Sequence, residues 1–423
     1  MKILVVGSGG REHAICSAFA RSSRTEKLVC ANGNAGIAEM AECVNIKPEN
    51  INGLADFARA NDIGLTFVGG EVPLALGITD EFEKRGLNIV GVCAAAARLE
   101  ASKAFAKDFM HRHNIPTAKF HTANSKAEAV EILESGEFGD ETAPVVVKAD
   151  GLAAGKGVVV AANRTKALAA IDELDEIAGA EAASTIVLEE CLFGREVSLI
   201  LFSDGENFAL MPPTRDHKRI GEGDTGPNTG GMGTITDANL LSEAQTQDIL
   251  DNIIKPTLRG CRDEGFPLRG ILFLGLMMTE SEPKLLEYNV RFGDPETQSI
   301  LVRLETDFVD ICEAILAGQL DRVAIKWRPG NSACVILAAE GYPCHPRKGD
   351  VIYGLDKAGA LENVQIFHAG TSKNEAGEFV TSGGRVLGVT AVGETLNRAL
   401  SQAYEAVEEI SWNGMQYRRD IGK

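Results

Sequence analysis

A chain of 423 residues, 44% of them hydrophobic, can build two to four domains, and few aromatics beside 45 glycines favour an α/β protein with many tight turns over a β-sandwich. A net charge of −18 argues against nonspecific attraction to nucleic acid or an anionic membrane, so any phosphate must be met by local positive sites. Nine scattered cysteines with no C-x-x-C pair argue against a disulfide framework or structural zinc and fit a reducing cytoplasm, while no apolar run approaches membrane-spanning length.

The chain opens with a short apolar strand over residues 2–7, a glycine turn, and a helix over 11–21. Counted from Gly7, a dinucleotide fingerprint would place glycine where Glu12 stands, and the second strand, 27–31, ends at Asn32 instead of an acid, so NAD is not expected. The turn Gly7-Ser8-Gly9-Gly10-Arg11 is equally a plain βα connection and a site for a small phosphate. Strands at 65–69 and 88–91 continue a parallel sheet.

From Ala101 a helical segment carries Ser102 and Lys103, and after Pro116 a smaller unit follows with strands near 118–121 and 145–148 around a helix at 126–134. It presents Lys148-Ala-Asp-Gly-Leu-Ala-Ala-Gly-Lys-Gly-Val158, in which Gly151, Gly155 and Gly157 can bring backbone N–H groups to phosphates beside Lys148 and Lys156. A Walker A loop is excluded, because only three residues separate Gly151 from Gly155 and Gly157 follows the lysine. The apolar strand 186–190 ends in Glu189 and Glu190, which suit either a solvated strand end or hydrogen bonds to a nucleoside.

Residues 212–235 lack periodicity and gather Arg215, Asp216, His217, Lys218 and Arg219, positive charge and an amine anchor matching a substrate that pairs an amino group with a phosphate. A helix is expected over 242–263 and a strand over 271–278 that carries no carboxylate and turns at 279–283 into the next. That next stretch, KLLEYNVRFGDPETQ at 284–298, alternates: Leu286, Tyr288, Val290 and Phe292 should face the core, and Glu287, Asn289 and Arg291 the other side. Two oxygen donors about 7 Å apart with an arginine beyond them suit a hard cation and the phosphates it bridges. Asp294 is placed to cap a helix with Pro295 at its first position and Glu296 in its first turn. Strand-like runs at 333–339, 351–354, 364–369 and 385–392 precede a last helix, 395–410.

EYN and RFGDPETQ at 287–298, with GSGGREHA at 7–14, GNAG at 33–36, GGEVPL at 69–74, RDHKR and TGPNTGGMG inside 215–233, and FHAGT, SGGRVLGVTA and YRRDIG beyond 366, resemble the glycinamide ribonucleotide synthetase family, ATP-grasp enzymes of purine synthesis. One departure is Gly70, where the family usually has proline. The resemblance implies an ATP-grasp α/β fold: an N-terminal parallel domain over 1–100, a core over 101–325 with a mobile lid at about 120–190, and a C-terminal domain over 326–423 that closes one side of the cleft. It implies ligation of glycine to 5-phosphoribosylamine with ATP and Mg or Mn, by a cytoplasmic monomer without nucleic-acid or membrane partners. Lys103, Lys148 and Arg291 are then catalytic, and Glu287 and Asn289 hold the metal. Lys103, Lys148, Gly151, Gly155, Lys156, Gly157, Glu189, Glu190, Leu192 and Glu196 bind ATP. Gly9, Gly10, Arg11, Glu71, Asp216, His217, Lys218, Asn228, Thr229, Gly230 and Asp294 bind the other substrates. Competing expectations are another ATP-grasp ligase or carboxylase, and a nucleotide sensor without turnover.

Overall fold

The structure, a computed structural model, describes residues 1–151, 157–179 and 182–423. Strands β1 (Lys2–Gly7), β2 (Lys27–Asn32), β3 (Glu42–Val44), β4 (Leu65–Val68) and β5 (Ile89–Val90) form a parallel sheet in the order β3-β2-β1-β4-β5. Its strands are apolar along their length because helices cover both faces, and the crossover at β1 leaves the Gly7 turn and the Glu71 helix start side by side at the strands' C-terminal ends.

The lid follows. β6 (Phe120–Ala123), β7 (Val145–Ala149), β8 (Val158–Ala161) and β9 (Ile186–Glu190) make an antiparallel sheet in the order β6-β9-β7-β8, backed by helices Lys126–Glu134 and Arg164–Ala178. This unit has a hydrophobic cluster of its own, including Val147, Ile171, Leu174 and Leu188. The clusters of the N-terminal sheet, by contrast, run on into the core: Leu4 and Val6 share one with Leu272 and Leu285, and Phe19 and Phe67 share another with Phe292 and Phe308.

The remaining strands are β10 (Arg195–Asp204), β11 (Phe208–Leu210), β12 (Thr214–Asp216), β13 (Arg219–Gly221), β14 (Thr225–Asn228), β15 (Gly233–Thr236), β16 (Arg269–Met278), β17 (Pro283–Asn289), β18 (Asn331–Ala338), β19 (Val364–His368), β20 (Thr371–Lys373), β21 (Phe379–Thr381) and β22 (Arg385–Gly393). Nine of them form one antiparallel platform, β17-β16-β10-β12-β15-β18-β22-β19 with β11 beside β10, so strands of the last hundred residues continue the sheet of the core. The pairs β13–β14 and β20–β21 stand apart as hairpins.

Five expectations change. Residues 212–235 hold four short strands, each too brief to show a period. The 242–263 helix is broken by a π-helical turn at Leu250–Ile254, and residues 351–354 make only isolated bridges. In β17 a bulge opposite Gly275 and Leu276 inserts Leu286, so Leu285 enters the core and Leu286 turns to the cleft; Tyr288, Val290 and Phe292 are buried as read. The helix after β17 starts at Glu296 with Pro295 as its N-cap, because the Asp294 carboxylate is held elsewhere, by Gln298 Nε2 at 2.7 Å and Arg385 Nη2 at 3.2 Å.

Candidate active site

A cleft of about 420 Å³ opens where the lid, the platform edge and the N-terminal sheet meet. Its lining includes seven cationic side chains and eight acidic ones, close to balance in a chain of net charge −18.

β17 supplies the floor. Glu287 and Asn289 project into the cleft, and Arg291 follows just beyond the strand. Arg291 is braced on three sides, with Nε 3.2 Å from Glu71, Nη2 2.7 Å from Glu100 and Nη2 donating to Asn289 Oδ1 at 3.1 Å. Glu100 also accepts from the Val290 N–H at 2.8 Å; burial pushes its carboxyl up, partly offset by Arg291. Arg11 lies in the same layer, 2.6 Å from Glu12 and donating to Phe292 O at 3.0 Å. Burial alone would raise the Glu71 carboxyl, but Arg291 and Arg11 outweigh it and hold it below the usual range.

The wall facing β17 is built by the helix Lys103–Arg112 and the small antiparallel sheet of β6–β9. Ser102 ends the preceding helix, Ala94–Ala101, and caps this one, which sets Lys103 in the first turn with Nζ donating to Gly151 O at 2.8 Å. Lys148, at the end of β7, meets Glu189 on neighbouring β9 at 2.7 Å. The second oxygen of Glu189 meets Lys107 at 3.1 Å, and Lys107 also donates to Thr117 Oγ1 at 2.7 Å. Burial brings the Lys107 amine down to about 8 despite Glu189.

Glu287 has a particular electrostatic position. Burial between the cleft walls would raise its carboxyl, yet Lys218, Lys148, Lys103 and Arg291 hold it below the usual range. None of the described residues forms a hydrogen bond or ion pair with it, and on β16 the residue opposite is Gly275, whose added Cβ would stand 3.1 Å from Glu287 Cγ. An ionised, directly unpaired carboxylate beside an amide oxygen fits a hard divalent cation whose other ligands come from phosphates. Among the described residues no group of three or more His, Cys, Asp or Glu side chains is arranged for a metal, in keeping with so small a protein ligand set.

Asp216, Lys218, Asn228, Thr229 and Gly230 line the far wall, with Lys218 Nζ 2.8 Å from Glu196. Burial and neighbouring Glu296 push the Asp216 carboxyl up, against the pull of Lys218 and Arg385. Arg385 reaches the cleft from the C-terminal segment, donating to Gly230 O and, at 2.6 Å, to Asp294 O. Gly9 and Gly10 lie behind the lining, with Asp294 Oδ2 3.2 Å from a Cβ built on Gly9 and Gln298 Nε2 2.6 Å from one on Gly10.

Some sequence-derived residues fall elsewhere. His217 is outside the lining: its Nδ1 pairs with Gly233 O at 3.1 Å and its Nε2 accepts from the Gly422 N–H at 3.0 Å. Glu190 turns to the Lys119 N–H at 2.8 Å and Lys284 at 3.3 Å, and Leu192 is likewise off the lining. Gly155 and Lys156 lie outside the described residues. Sequence reasoning missed Glu100, Lys107, Glu296 and Arg385. Lys107 carries a faint signal, one helical turn after Lys103 on the same face.

An antiparallel platform with a carboxylate, an amide and an arginine on one edge, roofed by a small antiparallel lid that brings in a lysine, defines an ATP-grasp protein. The phosphoribosylglycinamide synthetase models match in succession, the N domain at residues 1–100, the ATP-grasp (A) domain at 101–297 and the C domain at 332–423. The chain belongs to the phosphoribosylglycinamide synthetase family. It is 49% identical to a phosphoribosylamine–glycine ligase of Pseudomonas aeruginosa, covering 100% of this chain and 97% of the relative. The crystal structure of the phosphoribosylamine–glycine ligase of Thermotoga maritima superposes with a TM-score of 0.85 at 34% identity, covering both chains completely. The biotin carboxylase domain of Hydrogenobacter thermophilus 2-oxoglutarate carboxylase shares the fold, with a TM-score of 0.75 at 17% identity over 98% of this chain and 91% of that one.

Proposed function

We propose that this chain joins glycine to 5-phosphoribosylamine, converting ATP to ADP and phosphate through glycyl phosphate. Membership of the family and 49% identity to a phosphoribosylamine–glycine ligase support that reading. The observation that carries it in the site is Arg291, locked by Glu71 and Glu100 on the face that bears Glu287 and Asn289. A guanidinium held this rigidly meets a transferring phosphoryl group without reorganising.

A glycine carboxylate oxygen attacks the γ-phosphorus, the bond to the ADP oxygen breaks, and a mixed anhydride results. The amine of phosphoribosylamine then attacks its carbonyl carbon, phosphate leaves, and the amine loses a proton. Lys103 and Lys148 neutralise ATP phosphates, with Gly151 and Gly157 beside them, and Gly155 and Lys156 are assigned to the same phosphates from the sequence. Glu196 and Glu189, the latter through the lysines it holds, stand on the nucleoside side of the cleft, with Glu190 and Leu192 behind its lining. Arg11, Glu71, Asp216, Lys218, Asn228, Thr229, Gly230 and Asp294 receive the other substrates, with Gly9 and Gly10 shaping the turn behind Asp294. Glu287 and Asn289 would hold Mg or Mn, which screens phosphate charge when bound. The reading takes the chain as a monomer working in the cytoplasm, with domains divided near 100 and 325; among the described residues no helix is long and apolar enough to cross a membrane.

Glycine carrying oxygen-18 in its carboxylate tests the mechanism. During turnover with ATP and phosphoribosylamine one label must appear in inorganic phosphate; unlabelled phosphate rules the anhydride out. Omitting each substrate in turn separates this ligase from other carboxylate ligases and from a sensor.

A further inference from the structure

The hairpin β13–β14 pairs with no other strand, and isolated two-stranded hairpins are marginal in water. Yet it lies between Asp216 and Lys218 on one side and Asn228, Thr229 and Gly230 on the other, all in the cleft wall. What holds it is the segment after the last helix, Leu396–Glu409. The Arg418 side chain is 2% exposed, and its guanidinium grips Asp420 through Nε at 2.7 Å and Nη2 at 2.8 Å. Nη1 donates to Asp224 Oδ1 at 2.7 Å, in the hairpin turn, and to Arg219 O at 3.1 Å, at its base. Asp420 in turn accepts from the Gly223 N–H at 2.7 Å. The same segment holds the strand entering the hairpin, because the Gly422 N–H donates to His217 Nε2 at 3.0 Å. Tyr404 anchors it from below, donating to Arg418 O at 2.9 Å.

We infer that Arg418 is a positioning residue for the reaction: with Asp420 it clamps the β13–β14 hairpin so that Asp216, Lys218 and Asn228–Gly230 stand ready in the cleft wall. Arg418 itself does not line the cleft, so it acts through the hairpin. A buried arginine with its fork divided between two carboxylates and a carbonyl fixes orientation, which a lysine's point charge cannot do. A purely structural arginine would serve the whole fold; among the described residues this one's side-chain hydrogen bonds go to the hairpin and its own segment. The inference rests on the proposed assignment of that wall to phosphoribosylamine.

Arg418→Met in the full chain tests it, with hydrogen exchange and steady-state kinetics side by side. Exchange at residues 219–228 should rise about tenfold or more while the platform strands keep their protection. The KM for phosphoribosylamine should rise about tenfold, with kcat within about threefold and the KM for ATP within about twofold of the parent. Unchanged hairpin exchange overturns the clamp, and a loosened hairpin with unchanged KM overturns the positioning role. Should protection be lost globally, Asp224→Gly decides by the same two readouts: it removes the carboxylate that accepts from Arg418 and suits the φ of 53° there, the Asp224 side chain is 70% exposed, so the fold persists, and parent-like values overturn the inference. A parent protein that fails to turn over these substrates sinks the assignment of function instead, while the exchange result still judges the clamp.

Discussion

Glu287 shows how one side chain's surroundings define its use. Lys103, Lys148, Lys218 and Arg291 keep it ionised, yet no described residue pairs with it directly, so its charge is free for a cation arriving with phosphates. Glu287→Gln removes that charge at nearly constant volume. Turnover at saturating Mg should fall by orders of magnitude with little change in the thermal unfolding midpoint. A variant within about threefold of the parent, about 0.65 kcal/mol of barrier, would exclude Glu287 from the rate-determining complex. Glu189 shows the opposite case. The sequence leaves it either solvated or nucleoside-binding, but the structure spends both its oxygens on Lys148 and Lys107. That arrangement depends on two strands and a helix meeting, which no local pattern announces.

Among the elements, the hairpin β16–β17 holds Glu287 and Asn289 in place. Pairing of Gly275 with Glu287 leaves the space into which the carboxylate folds, and the bulge beside it turns Leu286 out of the core. Gly275→Val suits strand propensity and keeps the ladder, but its side chain must displace Glu287. Turnover should drop about tenfold or more, about 1.4 kcal/mol of barrier, with thermal stability held or raised. Parent-level turnover would show that the glycine is dispensable. Alternation in the sequence correctly predicts burial of Tyr288, Val290 and Phe292, but not of Leu285, because a bulge shifts the phase and leaves no mark of its own.

Three buried histidines join units distant in sequence. His13, on the helix after β1, accepts from the His368 N–H at 2.9 Å; His368 lies near Glu39 and Lys373, and His217 near Arg215, Arg418 and Asp224. Burial lowers their imidazoles to about 3 for His13 and about 4 for His217 and His368. An unfolded chain takes up these protons below about pH 6.5, whereas the folded one stays neutral until about pH 4, so the unfolded state binds more protons in between. The histidines' contribution to stability therefore falls as pH drops through that window, by on the order of 1–3 kcal/mol each, against the opposite contribution of buried carboxyls such as Glu100 and Asp216 whose burial raises them. Urea midpoints at pH 7, 6 and 5 check the sign, and His368→Gln should flatten the slope. A slope that is the same in His368→Gln as in the parent would contradict neutral burial of His368.

By itself the sequence determined the class of fold and the strand carrying Glu287 and Asn289, with Arg291 just beyond it. Those features rest on local signals: apolar periodicity, glycine turns, and a motif whose residues are neighbours in the chain. Only the tertiary structure decided that Glu100, Lys107 and Arg385 share the cleft, that His217 faces a backbone amide of residue 422, and that one sheet joins the core to the last hundred residues. Such contacts span tens to hundreds of positions, and what places them is which faces must be buried together, a property of the folded whole.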